Sequence, residues 1–275
     1  MRKTIYLIAC ATVVLGLMSA NGIFASGSVS YRPGAESSSS SGEEGESSLV
    51  ENERPEDVIE VSDVDSMALN VADAFLRIPS KDMDILAPSQ RNDMVIYMMA
   101  DSIYKCRNIY TGQSWIEKMT PDYMRVHLTD VSSLQLKILP SDKKAKLKQR
   151  LVMSIYTIAG ESETADSTIK FYNLTEYTPD SITLTEVASR KYFILPDPKR
   201  FYNVAKIKSE GLNLKSLMNE MPFYTVAYEI SADRNVLTGR LTMDNYLTTE
   251  QRDKMNPLLI KTLRWHWNGS KFQIE

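Results

Sequence analysis

The residues able to do chemistry in this chain are few and widely spaced. There are two histidines, His127 and His266. A nucleophilic triad needs a base held beside its nucleophile, and no G-x-S-x-G elbow offers a serine for one. His127 lies between Val126 and Leu128 in an alternating stretch, on the same side as Arg125. It is read either as a base or ligand, or as a cross-strand residue beside Arg125. The second reading is preferred, because no partner for the chemistry accompanies it. Neither histidine has a His or Cys two to five residues away, the spacing that sets two ligands on one ion. Asp101 and Asp166 stand alone. Ser-x-x-Lys recurs at Ser102/Lys105, Ser141/Lys144 and Ser167/Lys170 without companion motifs, and the 11 glycines form no phosphate-cradling loop. No catalytic residue, metal site or cofactor is expected.

Two stretches point to binding instead. SDKKAKLKQR, residues 141–150, carries Lys143, Lys144, Lys146, Lys148 and Arg150. Such a run can touch anionic lipid or a phosphate-bearing polymer, but charge runs more often mark a solvated connection. The second stretch is LRWHWNGSKF, residues 263–272. As a strand it sends Leu263, Trp265 and Trp267 to one side and Arg264 and His266 to the other. Asn268-Gly269 predicts a type I′ hairpin turn with two positive φ angles, and the return through Phe272 and Ile274 joins the tryptophan face. The two tryptophans either stack on sugar rings or close a core. Aromatics at strand spacing favour the core.

The elements that position these residues follow from the hydrophobic period. A short amphipathic helix is predicted over Met67–Ile78, starting at Ser66 and stopped by Pro79. A second runs from an N-cap at Ser89 to about Tyr104, with Ile96, Met99 and Ile103 at helical spacing. Period two then takes over. Met124, Val126 and Leu128 share a face, as do Leu134, Leu136 and Ile138, and residues 129–132 are short enough for a hairpin. Further strands are predicted at Leu151–Ile158 and Thr168–Tyr172. A helix around Leu214–Met221 ends at Pro222. Strands follow at Val226–Ile230 and Val236–Met243, then a helix opened by the Thr248-x-x-Gln251 capping box and ended by Pro257. The sum is an α+β fold, antiparallel sheet with a few short helices on one face. It occupies 67–275, with sub-blocks near 67–195 and 196–275.

The first 66 residues read differently. Arg2 and Lys3 precede an apolar run to Met18, then small residues around Ala20 and Ala25, the order of a secretory signal peptide over 1–25. Cys10, in LIAC, interrupts that run instead of ending it and is read as part of the peptide. Residues 26–66 are a Ser-, Glu- and Asp-rich linker, too poor in apolar surface to offset its ordering entropy. It carries two Arg against eleven acids. Residues 67–275 carry 28 basic and 24 acidic residues, a weak positive balance that excludes an evident nucleic-acid footprint. With the peptide removed, Cys106 is the remaining cysteine, read as a buried, inert thiol.

Four stretches, LAPSQRNDMVIYM (86–98), ADSTIKFYN (165–173), LPDPKRFY (195–202) and LRWHWNGSKF, together resemble a family of exported Bacteroidales proteins of unknown function. The resemblance spans most of 67–275. It implies a Gram-negative envelope protein with an α+β fold and implies no reaction. The family often has cysteines before the Asp-Ser segment, whereas GESETADS here has none, so no thiol role is carried over. The acidic linker also departs from the family's usual short N-terminus.

The expectation from sequence is therefore an exported, periplasmic binding or assembly module that meets an envelope protein or glycan. Membrane contact is expected only through the signal segment if it stays uncleaved, with a cell-surface or membrane-anchored location as the lesser alternative. The alternatives are a hydrolase of envelope polymers or glycans, and a carbohydrate-binding module. Trp265, Trp267, His127, Lys143 and Lys144 are the candidate contact residues.

Overall fold

The computed structural model describes residues 69–141, 148–160, 164–178, 180–221 and 223–275. The signal peptide and linker expectations, and Lys143 and Lys144, lie outside these residues.

Helix α1 (Val71–Arg77) is capped by Asn70 and not by Ser66 as expected. The Asn70 side chain accepts from the Asp73 amide, and the Asp73 carboxylate accepts from the Asn70 amide. Helix α2 (Pro88–Met99) opens one residue before the predicted cap, with Pro88 in the first turn, where its missing N–H costs nothing. It ends at Met99, five residues short of the prediction, where Asp101 turns into the left-handed region (φ 52°) and the Ser102 amide bonds back to the Tyr97 carbonyl. The core face of α2 also differs from expectation. Arg91, Met94 and Val95 are buried, whereas Ile96, Met99 and Ile103 are 54%, 67% and 60% exposed.

Seven strands then form one antiparallel meander: β1 (Cys106–Arg107), β2 (Gln113–Met119), β3 (Tyr123–Thr129), β4 (Ser132–Leu139), β5 (Lys148–Ala159), β6 (Ala165–Thr178) and β7 (Ser181–Val187). Each pairs with the next in sequence, as short hairpin connections require. Side-chain alternation divides the sheet into two dry faces. Met124, Val126, Leu128, Leu134, Leu136, Val152, Tyr172 and Leu174 face α1 and α2, where they join Val71, Phe75 and Met94 in one core. The intervening residues Tyr123, Leu139, Met153, Ile155 and Phe171 face the other way.

That second face is covered by the rest of the chain. Helices α3 (Val204–Ser209) and α4 (Leu214–Glu220) precede strands β8 (Val226–Ile230) and β9 (Val236–Leu241). After α5 (Thr249–Met255) come β10 (Thr262–Trp267) and β11 (Phe272–Ile274). The four strands make a second antiparallel sheet, ordered β11-β10-β9-β8. Its core contribution is aromatic, with Tyr228, Trp265, Trp267 and Phe272 meeting Phe171 and Phe193. Gly239 makes room for this layer: a Cβ there would stand 2.8 Å from the Tyr228 ring and 3.0 Å from the Trp265 ring.

Strand β8 is an edge strand, and an uncovered edge invites mispairing. Here side chains of the larger sheet satisfy it. The amides of Val226, Tyr228 and Ile230 donate to Asp166 Oδ1, Ser167 Oγ and Gln135 Oε1. Lys137, 2% exposed, adds a further tie, its Nζ donating to Asp122 Oδ2 at 2.6 Å and to the Ala232 carbonyl at 2.7 Å.

Candidate functional site

The C-terminal hairpin is part of the core. Trp265 and Trp267 are 4% and 9% exposed, Trp265 lies edge-on to Phe193, and the Trp267 indole N–H donates to the Pro140 carbonyl at 2.6 Å. Such burial leaves no free ring face on which a sugar could stack. The turn also departs from the type I′ expectation. Trp267 pairs with Phe272 across four loop residues, and only Gly269 (φ 87°) enters the positive region. Asn268 instead accepts from the Ser270 and Lys271 amides with its side chain, an Asx arrangement that closes the longer loop.

His127 is held between strands. Its ring stacks on Trp115, directly opposite on β2, with centroids 3.7 Å apart, and Lys105 Nζ sits 4.6 Å from the centre of the Trp115 ring. A bulge between Ile116 and Lys118 displaces Glu117 from the ladder. Its carboxylate reaches Arg125 Nε at 2.9 Å and His127 Nδ1 at 3.8 Å, and Asp130 lies 3.9 Å from Nε2. Arg125 in turn meets Glu229 of β8 at 3.2 Å. His127 thus sits beside a cross-strand ion-pair group, Glu117–Arg125–Glu229, that spans the two sheets. His266 lies apart from it, exposed and bonded to Glu275.

Cys106, on β1 and not in a helix, is buried and unpaired with another cysteine, its sulfur 3.6 Å from Met94 Sδ. Burial pushes its thiol above the ordinary range, which lowers its reactivity. Among the described residues no group of three His, Cys, Asp or Glu side chains is arranged to hold a metal ion. No described helix is long and apolar enough to cross a membrane.

Two features that sequence reading did not single out are better formed. The first is a cleft under the α1–α2 connection. Asp82, its side chain 7% exposed, accepts a short hydrogen bond from Lys170 and one from the Tyr172 hydroxyl at 3.3 Å. Burial, followed by the negative charges of Asp82 and Glu186, raises the Tyr172 phenol well above its usual value, so it stays a proton donor. Lys170 and Tyr172 are two apart on β6 and visibly share a face. Asp82 is 88 residues away from Lys170, and nothing local in the sequence joins them.

The second is the outward side of α2. Ile96 and Met99 project there, Tyr97 stacks on Tyr104 with centroids 4.9 Å apart, and Ile103, also exposed, follows in the segment just after the helix. Met99 also borders a shallow cleft of about 220 Å³ lined by Val71, Ala72, Met119 and Pro121. Consecutive apolar residues from Met94 to Met99 give this helix one face for the core and another left over.

Comparison with known proteins agrees with the geometry of the fold. No curated protein matches the chain. A solved structure of a domain of an uncharacterized protein from Porphyromonas gingivalis W83 superposes with a TM-score of 0.58 at 17% identity. It covers 74% of this chain and 97% of that one. At that identity the likeness shows the α+β fold. Residues 63–272 match the family described as "Protein of unknown function (DUF3256)". The chain belongs to that family, DUF3256.

Proposed function

We propose that this domain is a non-catalytic binding module of the bacterial envelope, exported by residues 1–25 and spaced from its attachment or neighbours by the acidic segment 26–66. Its partner is another envelope protein, captured on the outward side of α2.

The observation that carries the reading is the exposure of Ile96, Met99 and Ile103 beside the Tyr97–Tyr104 stack. Two otherwise well-filled cores leave these apolar groups in water. Contiguous apolar surface of this kind marks interaction sites, and aromatic and methionine side chains are enriched at the centre of interfaces. Methionine is flexible and polarizable, which lets one surface fit an irregular partner. The adjoining cleft offers a pocket for a single anchoring side chain, the usual form of an interface hot spot.

The test is the paired substitution Met99→Glu and Ile103→Lys in the full chain, expressed in its own envelope and cross-linked in place. The reading expects a discrete cross-linked species with the parent chain and its loss in the variant, with the melting temperature unchanged. An undiminished species in the variant would refute it.

A further inference from the structure

The connection between α1 and α2 arches over the helix-side face of β4, β5 and β6. It leaves a cleft on each flank, of about 200 and 210 Å³. Tyr156, Lys81, Asp82 and Met83 line both, so the two are neighbouring bays with a common wall.

The floor of the first bay is set by strand register. Ser154 stands opposite Lys170, and Tyr156 opposite Thr168. Paired strands lie about 4.8 Å apart and same-face positions about 6.8 Å apart along a strand, so these four polar side chains form a grid of roughly 5 by 7 Å. That is the scale of one sugar ring. Three of the four are hydroxyls, each able to donate and to accept. Beside them Leu134 and Met83 are buried and apolar, and the half-buried Tyr156 ring adds an amphipathic surface.

The charges around the grid cancel. Lys81 meets Glu186 at 3.5 Å, Glu186 meets Lys170 at 3.9 Å, and Lys170 is bonded to Asp82. Two cations face two anions. An anionic ligand would have to take Lys170 from Asp82, whose side chain is 7% exposed, and leave that carboxylate without its partner, which selects against it. A neutral ligand rich in hydroxyls exchanges water hydrogen bonds for equivalent ones and lays its C–H face on the apolar wall.

We propose that the first bay binds one ring of a neutral glycan, with Tyr156 in the wall that separates it from the second, where Asp84 adds a further carboxylate. The assignment is independent of the α2 surface, so a module of this kind can hold a glycan and a protein at once.

The experiment is a titration of the isotope-labelled full chain, followed by amide chemical shifts. The probes are neutral mono- and disaccharides of gluco, manno, galacto and N-acetylglucosamine type, with glucuronic acid as the charged comparator. The proposal expects saturable shifts confined to residues 78–87, 154–156 and 168–172. Glucuronic acid binds at least about fivefold more weakly. Thr168→Val keeps size and shape at an exposed position, so it reports binding without loss of fold. It and Tyr156→Ala each weaken the best probe about fivefold or more. The proposal is overturned by any of three results: no saturable shift with any neutral sugar, binding indifferent to both substitutions, or tighter binding of glucuronic acid.

Discussion

The two faces of the seven-stranded sheet solve the same packing problem with different side chains. On the α1–α2 face the core is mainly aliphatic: Leu, Val, Ile and Met from the sheet, with Tyr172 as the aromatic exception, meet Val71, Phe75, Met94 and Val95. On the other face, where a second sheet is laid across, the filling is aromatic, with Phe171, Phe193, Tyr228, Trp265, Trp267 and Phe272 in mutual contact. A helix brings its own bulk to a sheet. Two sheets must bridge about 10 Å with side chains alone, and large rings do so with few rotamers. The aromatic face is also tied by polar tips, such as Trp267 to Pro140 and Tyr202 to Tyr224. The most conspicuous residues of the sequence are used up in closing the sandwich, whereas exposed Ile96 and Met99 and the cleft at Asp82 lie on the aliphatic, helix-covered side.

Substitutions can break or sharpen this contrast. The largest effect is expected from Trp265→Ala with Trp267→Ala. At about 3–5 kcal/mol each, the pair matches the whole stability of many domains, so loss of the cooperative melt is the expected result. A melt within a few degrees of the parent would mean that the aromatic layer is not what joins the sheets. Phe75→Ala, fully buried in the aliphatic core, should cost about 3–5 kcal/mol and give a folded but lower-melting chain by circular dichroism. Gly239→Ala tests the fit of the ring layer more finely. The new methyl meets Tyr228 and Trp265, and overpacking of this kind costs about 1–3 kcal/mol. A stabilised variant would show the layer to be looser than described.

The polar tie between the sheets should appear in pH dependence. Burial alone would raise the Asp122 carboxyl. The hydrogen bonds from Lys137 and Thr120, with the charge of Lys137, outweigh it and hold the group below its ordinary value of 3.8. A depressed carboxyl stabilises the fold above its unfolded pKa and loses that contribution as pH falls through the folded one. Asp122→Asn should therefore lower stability modestly near neutrality and flatten the acid limb below about pH 4. An acid limb as steep as the parent's would assign the acid sensitivity elsewhere. The smallest stability effect, within about 0.5 kcal/mol, is expected for Met99→Glu with Ile103→Lys, since both side chains already stand in water.

Much of the fold was legible because antiparallel strands with a dry face announce themselves by period two. Met124-Val126-Leu128 and Leu134-Leu136-Ile138 lie where alternation put them, and the hairpin between them is present. Strand β2 was missed because the bulge at Glu117 breaks its alternation. Strand β7 was missed because, at a sheet edge, neither of its sides is fully buried. The face of α2 was misassigned for a related reason. Six apolar residues in a row fit more than one stripe, and the choice is made by tertiary contacts: Arg91 Nη1 donates to the Phe75 and Ile78 carbonyls, satisfying the end of α1 and fixing the rotation of α2. The cleft under the α1–α2 connection was illegible for a topological reason. It joins positions 82, 154–156 and 168–172, which meet only after β5 and β6 have taken register and the α1–α2 connection has folded over them.

The most direct test of the account places a photo-activatable cross-linking residue, one position at a time, at Ile96, Met99 and Ile103. Controls go at Glu229 and His266, all within the full chain expressed in its native cell. The account predicts a single discrete adduct from Ile96, Met99 and Ile103 and none from the two controls. Adducts from the control positions alone, with none from those three, would contradict it.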